Sequence, residues 1–318
     1  MQQYILRRVA LGLFTAWMVS LMIFAILRVA PGDVALMILS GEEDAIYSQE
    51  MVDDLRQELG LNRSLPEQYF VWLWNFVTLD WGISLFNNDD VFEVFKNKVP
   101  VTLELSIVAV TISTILGIPT GIVMAMRQDT WVDYVLRMWS VAGLSIPNFW
   151  IATMLLVIGV YIFNWRPPIG YVSIIEDPFR NMNQYFWPAM IVGYSSMATK
   201  ARMMRSTMLE VLRQDYIRTA HAKGLRYYTV VTRHALKNAL IPVVTIIGFT
   251  IAAIMGGSVI MERIFTLPGV GNYLVSGMQQ RDYPVVQSLI MFFAMWIVFV
   301  NLIVDLTYGW LDPRIRFD

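Results

Sequence analysis

The run YPVVQSLIMFFAMWIVFVNLIV, residues 283–304, holds 22 residues without one charged side chain. An α-helix rises about 1.5 Å per residue, so roughly 20 apolar residues cross the ~30 Å hydrocarbon layer of a bilayer. The run therefore reads as a membrane-spanning helix. Five further charge-free stretches precede it, at residues 9–27, 105–126, 138–163, 181–199 and 238–261. The weakest is 181–199, whose apolar part begins near Tyr185 and contains Pro188, Gly193, Ser195 and Ser196. Its lower end is expected to continue as helix beyond the membrane. The first run follows Arg7 and Arg8, as a signal peptide would, but its length and the absence of a small-residue cleavage site favour a span.

Composition agrees with that reading. Of 318 residues, 56% are hydrophobic and 15% charged, against about 25% charged in soluble domains. No cysteine is present, which excludes a disulfide framework, a thiolate zinc site and a cysteine nucleophile. The predicted fold class is an all-α integral membrane protein with about six transmembrane helices.

Basic residues orient such a chain, because cytoplasmic loops carry the excess of Lys and Arg. With six crossings, both termini share one side. That side collects 15 of the 24 basic residues and 6 of the acids, and the opposite side collects 9 basic and 18 acidic residues, with Asp305 counted inside the membrane. Nine of the 15 lie in 199–237 alone. Both termini are thus expected in the cytoplasm.

Three parts follow: 1–30, the cytoplasmic N-terminus with the first transmembrane helix; 31–100, an external helical insertion; and 101–318, a transmembrane core that includes a cytoplasmic loop at 199–239. In the insertion, Ser48 precedes Met51, Val52, Leu55 and Leu59 at helical spacing, with Gly60 as the stop. A second helix is signalled by Ser64 and Glu67 at capping-box spacing, with Pro66 in its first turn. Its aromatics Tyr69, Phe70, Trp72, Trp74 and Phe76 suit an interfacial belt. In the cytoplasmic loop, Asp215 is the expected N-cap of a two-turn helix, Tyr216 to Lys223, and Gly224 supplies a left-handed stop. A further helix is expected at 226–238, with Arg226, Arg233 and Lys237 on one face.

The chain shows no energy source of its own. Its five lysines precede Asn97, Val99, Ala201, Gly224 and Asn238, so no P-loop is present to cradle nucleotide phosphates. His221 and His234 stand thirteen residues apart without cysteines, which is no recognisable metal spacing, and no Gly-x-Ser-x-Gly occurs. Enzyme chemistry and a metal site are not expected. An ion-coupled carrier or channel would need ionisable groups inside the membrane. The candidates are Glu104, Glu262 and Asp305, all near helix ends where water is within reach, so this is the alternative reading. Pro119 within Gly117-x-x-x-Gly121, and Pro147 within the third span, should kink those helices or bring them close to neighbours.

Several short motifs recur in order along the chain. They are Ala-Pro-Gly-Asp (Ala30 to Asp33), Leu-Gly-Leu (Leu59 to Leu61), Trp-Gly-Ile-Ser-Leu (Trp81 to Leu85) and Val-Thr-Leu-Glu-Leu (Val101 to Leu105). Ser-Ile-Pro-Asn-Phe-Trp (Ser145 to Trp150) follows, then Asp-Tyr-Ile-Arg-Thr-Ala-His-Ala-Lys-Gly-Leu (Asp215 to Leu225) and Arg-His-Ala-Leu-Lys-Asn-Ala-Leu-Ile-Pro (Arg233 to Pro242). Glu-Arg-Ile-Phe-Thr-Leu-Pro-Gly-Val-Gly (Glu262 to Gly271) and Arg-Asp-Tyr-Pro (Arg281 to Pro284) close the set. In this ordered set the sequence resembles the membrane subunits of binding-protein-dependent ABC importers, of the dipeptide and oligopeptide permease type. That family's cytoplasmic loop carries Glu-Ala-Ala, Gly four residues on, and Ile-x-Leu-Pro ten residues after the Gly. The pattern falls here on Arg218, Thr219, Ala220, Gly224, His234, Leu236 and Lys237, of which Ala220, Gly224 and Leu236 match.

The resemblance implies a permease subunit for peptides or similar solutes in a prokaryotic inner membrane. It implies a second permease subunit, two cytoplasmic ATPases that hold ATP and magnesium, and an external solute-binding protein. No cofactor is expected in this chain. The coupling helix would bring Asp215, Tyr216, Arg218, Thr219, Ala220, Lys223 and Gly224 to the ATPase, with Asp215, Arg218 and Lys223 as the polar contacts where the Glu is missing. Ser145, Asn148, Gly257 and Met261 are the expected lining of the translocation path, since small, amide or flexible side chains let varied solutes pass.

Overall fold

A computed structural model describes residues 2–29, 49–58, 60–168 and 170–311, and nearly all of them are helical. In chain order the helices are α1 (Gln2–Val29), α2 (Gln49–Glu58), α3 (Leu65–Val77), α4 (Val91–Met126), α5 (Trp131–Ser145), α6 (Asn148–Phe163) and α7 (Pro178–Leu212). There follow α8 (Asp215–Ala222), α9 (Tyr227–Thr229), a π-helical segment (Val230–Ala235), α10 (Leu236–Gly257), α11 (Val259–Ile264), α12 (Val270–Gln280) and α13 (Tyr283–Leu311). Among the described residues the one β pairing is an isolated bridge between Ile83 and Asp90. Ser48, Leu59 and the Ala30 to Asp33 motif lie outside the described residues.

Four helical stretches are long and apolar enough to cross a membrane: Ile5–Ile26, Val91–Met126, Tyr227–Gly256 and Tyr283–Thr307. The pair α5 and α6 makes a fifth if taken as one broken span, since the chain bends by 94° between them. The bend falls at Ile146 and Pro147, where the backbone turns extended (ψ 123° and 135°). Proline lacks the N–H a continuing helix would use. Length and composition thus pick out four or five of the six expected spans among the described residues. The stretch at 181–199 falls short on hydropathy, but its helix α7 runs unbroken to Leu212, as its lower end was expected to do.

Two compact units divide the chain. One comprises Met1–Arg8, Pro100–Asn272 and Phe299–Asp318; the other comprises Val9–Val99 and Tyr273–Val298.

In the first unit, α7 is the central post. Gly117 and Gly121 let α4 approach it closely: a Cβ at Gly121 would stand 2.5 Å from the Ala201 carbonyl oxygen and 2.5 Å from Met204 Cβ. Glycine is thus the residue that close helix contact demands here. α10 lies along the other flank of α7, where Thr207 Oγ1 donates to the Ala239 carbonyl at 2.9 Å. Lys200, counted among the basic residues of the 199–237 segment, is fully buried. Its Nζ donates to Ser113 Oγ at 2.8 Å on α4 and to Thr250 Oγ1 at 3.1 Å on α10.

In the second unit an aromatic chain holds the insertion together. Phe24 of α1 meets Tyr69 and Trp72 of α3, Phe76 stacks on Trp81 at 5.3 Å, and Trp81 and Phe95 continue to Phe292 of α13. The Tyr69 hydroxyl shares a 2.7 Å bond with Ser20. The predicted belt therefore splits by helix face, with Tyr69 buried and Phe70 and Trp74 exposed. Ser64 does occupy the N-cap of α3, but its side chain makes no capping bond; Pro66 in the first turn leaves one fewer N–H to satisfy. Ser84 Oγ donates to Asp282 at 2.5 Å, joining the Trp81 to Leu85 motif to the Arg281 to Pro284 motif.

Candidate coupling site and translocation path

The short helix expected in the 199–239 loop is present as α8, with both boundaries one residue earlier: Gln214 (φ −71°, ψ 150°) is the N-cap, Asp215 opens the first turn and Lys223 is the C-cap. Its stop is built as expected. Gly224 adopts φ +77°, its N–H donates to the His221 carbonyl at 2.9 Å, and the Leu225 N–H reaches the Ala220 carbonyl at 3.4 Å. This is the six-to-one and five-to-two pairing of a Schellman stop, which satisfies carbonyls the helix leaves open. No atom lies within 4 Å of a Cβ built at Gly224, so the requirement for glycine is one of backbone conformation alone.

The helix has two faces with different chemistry. Ile217 and Ala220 are buried in an apolar cluster with Met204 and Met208 of α7, Val230, Val231 and Ala235 of the π segment, and Ala239 and Val243 of α10. Asp215, Arg218, Thr219 and Lys223 face solvent. The Asp215 to Arg218 pair at 3.4 Å is almost fully exposed and holds little in place. One polar tether crosses to the membrane helix: Asn238 Nδ2 donates to the Tyr216 hydroxyl at 2.8 Å. His221 stacks on Tyr227 with ring centroids 6.0 Å apart.

The separate helix expected at 226–238 is corrected. Arg226 is an N-cap, and the helix beginning at Tyr227 passes through the π segment directly into α10. Arg233 and Lys237 are exposed as expected, but a π turn between them changes the register that would align them with Arg226. The stretch 227–257 is thus one continuous helical element, set off from α8 by the turn at Gly224.

The four path residues do not form one cluster. Ser145 closes α5 and is exposed, with its hydroxyl donating to the Val141 carbonyl at 3.0 Å. Asn148 opens α6 on the other side of the 94° bend, and its Oδ1 is buried without a partner among the described residues. Gly257 ends α10. Met261 is 1% exposed and belongs to the core around Leu105, Tyr185 and Phe265, so its side chain lines no surface of this chain.

The sequence reading missed a buried polar joint. Glu262, expected to reach water, is fully buried. Its carboxylate accepts from Thr102 Oγ1 at 2.7 Å, Ser258 Oγ at 3.0 Å and the Asn272 N–H at 2.9 Å. Thr102 Oγ1 in turn accepts from the Val270 N–H at 2.9 Å. Glycines crowd the carboxylate, with a Cβ at Gly271 standing 3.0 Å from Oε2. The signal was available, since Thr102 and Glu262 sit in two of the ordered motifs. Nearby, Glu104 accepts from Asn181 Nδ2 at 2.8 Å and the Tyr171 hydroxyl at 3.1 Å. Burial, then the Glu104 charge, push the Tyr171 hydroxyl's pKa up, which keeps it a donor. Asp305 pairs with Arg8 at 2.9 Å. All three acidic candidates for ion coupling are thus engaged in fixed contacts within the chain.

Residues 117–317 match the family described as binding-protein-dependent transport system inner membrane component, and residues 1–106 match the N-terminal part of such components. The chain belongs to this family. It is a multi-pass ABC permease and not itself an enzyme. The dipeptide transport system permease protein DppB of Escherichia coli (strain K12) is 38% identical over 339 residues, covering 99% of each chain. Two solved structures share the fold at low identity. An amino acid ABC transporter crystallised with histidines aligns at TM-score 0.54 and 14% identity, over 68% of this chain and 92% of that one. The MetNI methionine ABC transporter, in inward-facing conformations, aligns at TM-score 0.53 and 16% identity, over 69% and 96%. None of these likenesses favours an ion-coupled carrier.

Proposed function

We propose that this chain is one of two permease subunits of an ATP-driven importer that carries peptides into the cell. The substrate class is supported by the dipeptide transport system to which its full-length relative belongs. In this reading both termini are cytoplasmic, as the basic bias of 199–237 supports, and the second permease subunit is a different relative. An external binding protein delivers the solute, and two cytoplasmic ATPases hold ATP and magnesium.

The observation that carries the coupling role is the two-faced construction of α8. Its apolar face is locked to α7 and α10, and Tyr216 is bonded to Asn238, while Asp215, Thr219, Arg218 and Lys223 are free to meet an ATPase cleft. Closure of the ATPases on ATP would move α8 and α10 as one body, because the apolar cluster is close-packed and transmits displacement. Ser145 and Asn148, on either side of the bend, and Gly257 are the residues assigned to the path.

The test is uptake of a labelled dipeptide by proteoliposomes holding this chain with its co-purifying subunits and the binding protein. Uptake should require ATP with magnesium and vanish when Asp215, Arg218 and Lys223 are all replaced by Ala. Uphill uptake driven by a proton or sodium gradient without ATP would overturn the proposal.

A further inference from the structure

One face of α7 carries a second feature that the coupling role does not use. Arg202, Ser206, Leu209 and Arg213 follow one another at spacings of four, three and four, and Arg205 stands three after Arg202 and four before Leu209, which places them on one side of the helix. Together with Arg137 of α5 they line a cavity of about 690 Å³. Its floor is a fixed charge arrangement. Asp133 is fully buried and accepts from Arg205 Nη2 at 2.7 Å, Arg205 Nε at 3.0 Å and Arg137 Nη2 at 2.8 Å. Two guanidiniums thus share one carboxylate, which leaves one positive charge held rigidly at the base. At the rim, Arg202 and Arg213 are exposed, and no side-chain hydrogen bond or ion pair to either occurs among the described residues. Glu210 is the single acidic lining residue. The four lining guanidiniums outnumber the acidic side chains around them, which are Glu210, the buried Asp133 and Asp129 near Arg205.

Such an arrangement selects an anion with several acceptor oxygens. Guanidiniums offer paired N–H donors matched to phosphate oxygens, and Ser206 adds a hydroxyl donor. The surroundings extend the argument. Trp131, Tyr134, Met138 and Val141 form an exposed stripe along α5 at helical spacing, and the Arg137 guanidinium lies 5.3 Å from the Tyr134 ring centroid. An apolar stripe with aromatics at its end, leading from a basic pocket, matches acyl chains below a phosphate headgroup. We propose that this cavity is a binding site for a phosphate group, presented by an anionic phospholipid or by a free phosphate ion. The acyl chains of the lipid would lie on the Trp131 to Val141 stripe.

The site can be tested without disturbing the fold, because the Arg202 and Arg213 side chains are exposed and make no hydrogen bond or ion pair among the described residues. The full chain, purified in its assembled complex, is examined by native mass spectrometry and by binding titration with three probes: phosphatidylglycerol, phosphatidylcholine and inorganic phosphate. Retained phosphatidylglycerol in preference to phosphatidylcholine supports the site with a lipid as its source. Phosphate binding without lipid preference supports it with a free anion as its source. R202A and R213A should each weaken binding about fivefold and the double variant about thirtyfold, since a basic side chain at an anionic headgroup contributes on the order of 1 kcal/mol. A variant of the exposed Arg226, R226A, serves as the control for general surface charge. No binding of any probe, or equal loss in R226A and in the double variant, overturns the proposal.

Discussion

The Asn238 side-chain amide donates to the Tyr216 hydroxyl at 2.8 Å, joining a two-turn helix to a membrane span 22 residues along the chain. This bond and the apolar contacts of Ile217 and Ala220 are what make α8 a lever and not a loose loop. A hydrogen bond of this kind contributes about 1 kcal/mol net. Tyr216→Phe and Asn238→Leu should each reduce peptide uptake by a few fold, and the double variant should be no worse than the poorer single one. Initial uptake rates in a double-mutant cycle check this; strictly additive losses would show that the tether carries no coupling.

Gly224 should be the most sensitive position in the lever. A β-branched residue at φ +77° is held where its Cβ meets its own backbone, at a cost of roughly 1–2 kcal/mol. Gly224→Val is therefore expected to abolish most uptake while ATP hydrolysis by the complex persists. Gly224→Asn should retain most uptake, because asparagine tolerates the left-handed region and the space around the position is open. Equal transport by all three would refute the assignment.

The Glu262 joint should govern stability. Glu262→Gln keeps an acceptor for Thr102 and Ser258 but turns an amide N–H₂ toward the Asn272 N–H, so two donors face each other. A buried group left unsatisfied costs about 1–3 kcal/mol. The variant is expected to melt several degrees lower in detergent, and Thr102→Val to behave similarly. An unchanged melting temperature in both would remove the joint from the list of stabilising contacts.

Close approach of α4 to α7 gives a prediction with an internal control. Gly121→Ala should lower the melting temperature, since even one methyl meets backbone at 2.5 Å and overpacking costs typically 1–3 kcal/mol. Gly256→Ala, where no atom lies within 4 Å, should leave it unchanged.

Lys200 should behave in the opposite sense. It is fully buried with no ion pair to a carboxylate among the described residues, and its acceptors have other bonds: Ser113 Oγ donates to the Val110 carbonyl at 2.8 Å and Thr250 Oγ1 to the Ile246 carbonyl at 2.6 Å. Lys200→Met leaves neither hydroxyl unsatisfied and removes a desolvated amine. Thermal unfolding should show equal or greater stability; a marked loss would mean that the two hydroxyl bonds outweigh the burial of the amine.

Much of the lever was legible beforehand because its signals are local. Gly224 marks a left-handed stop, Pro147 marks the break in the third span, and both act within one helical turn. Boundaries were less secure: Gln214 took the N-cap in place of Asp215, and the helix beyond Arg226 had no visible end because a π segment carries it into α10. The contacts missed were of another kind. Lys200 lies 87 residues from Ser113, and Glu262 lies 160 from Thr102. Charge counting treats each basic or acidic residue as meeting water, and hydropathy averages over a window, so neither registers a partner brought in by packing. Met261 is a similar case: flexibility and position suggest a lining side chain, and within this chain it is packed in the core with Leu105 and Tyr185.

The π segment at Val230–Ala235 gives the chain a spare residue between lever and span. Successive residues of an α-helix are turned by about 100°, so tightening this segment to ordinary α geometry would swivel all of α10 by about that angle. Thr250 would swing away from Lys200, and Asn238 from Tyr216. The six-residue π segment thus fixes the phase of α10 against both neighbours, and with that phase kept, α8 and α10 travel together.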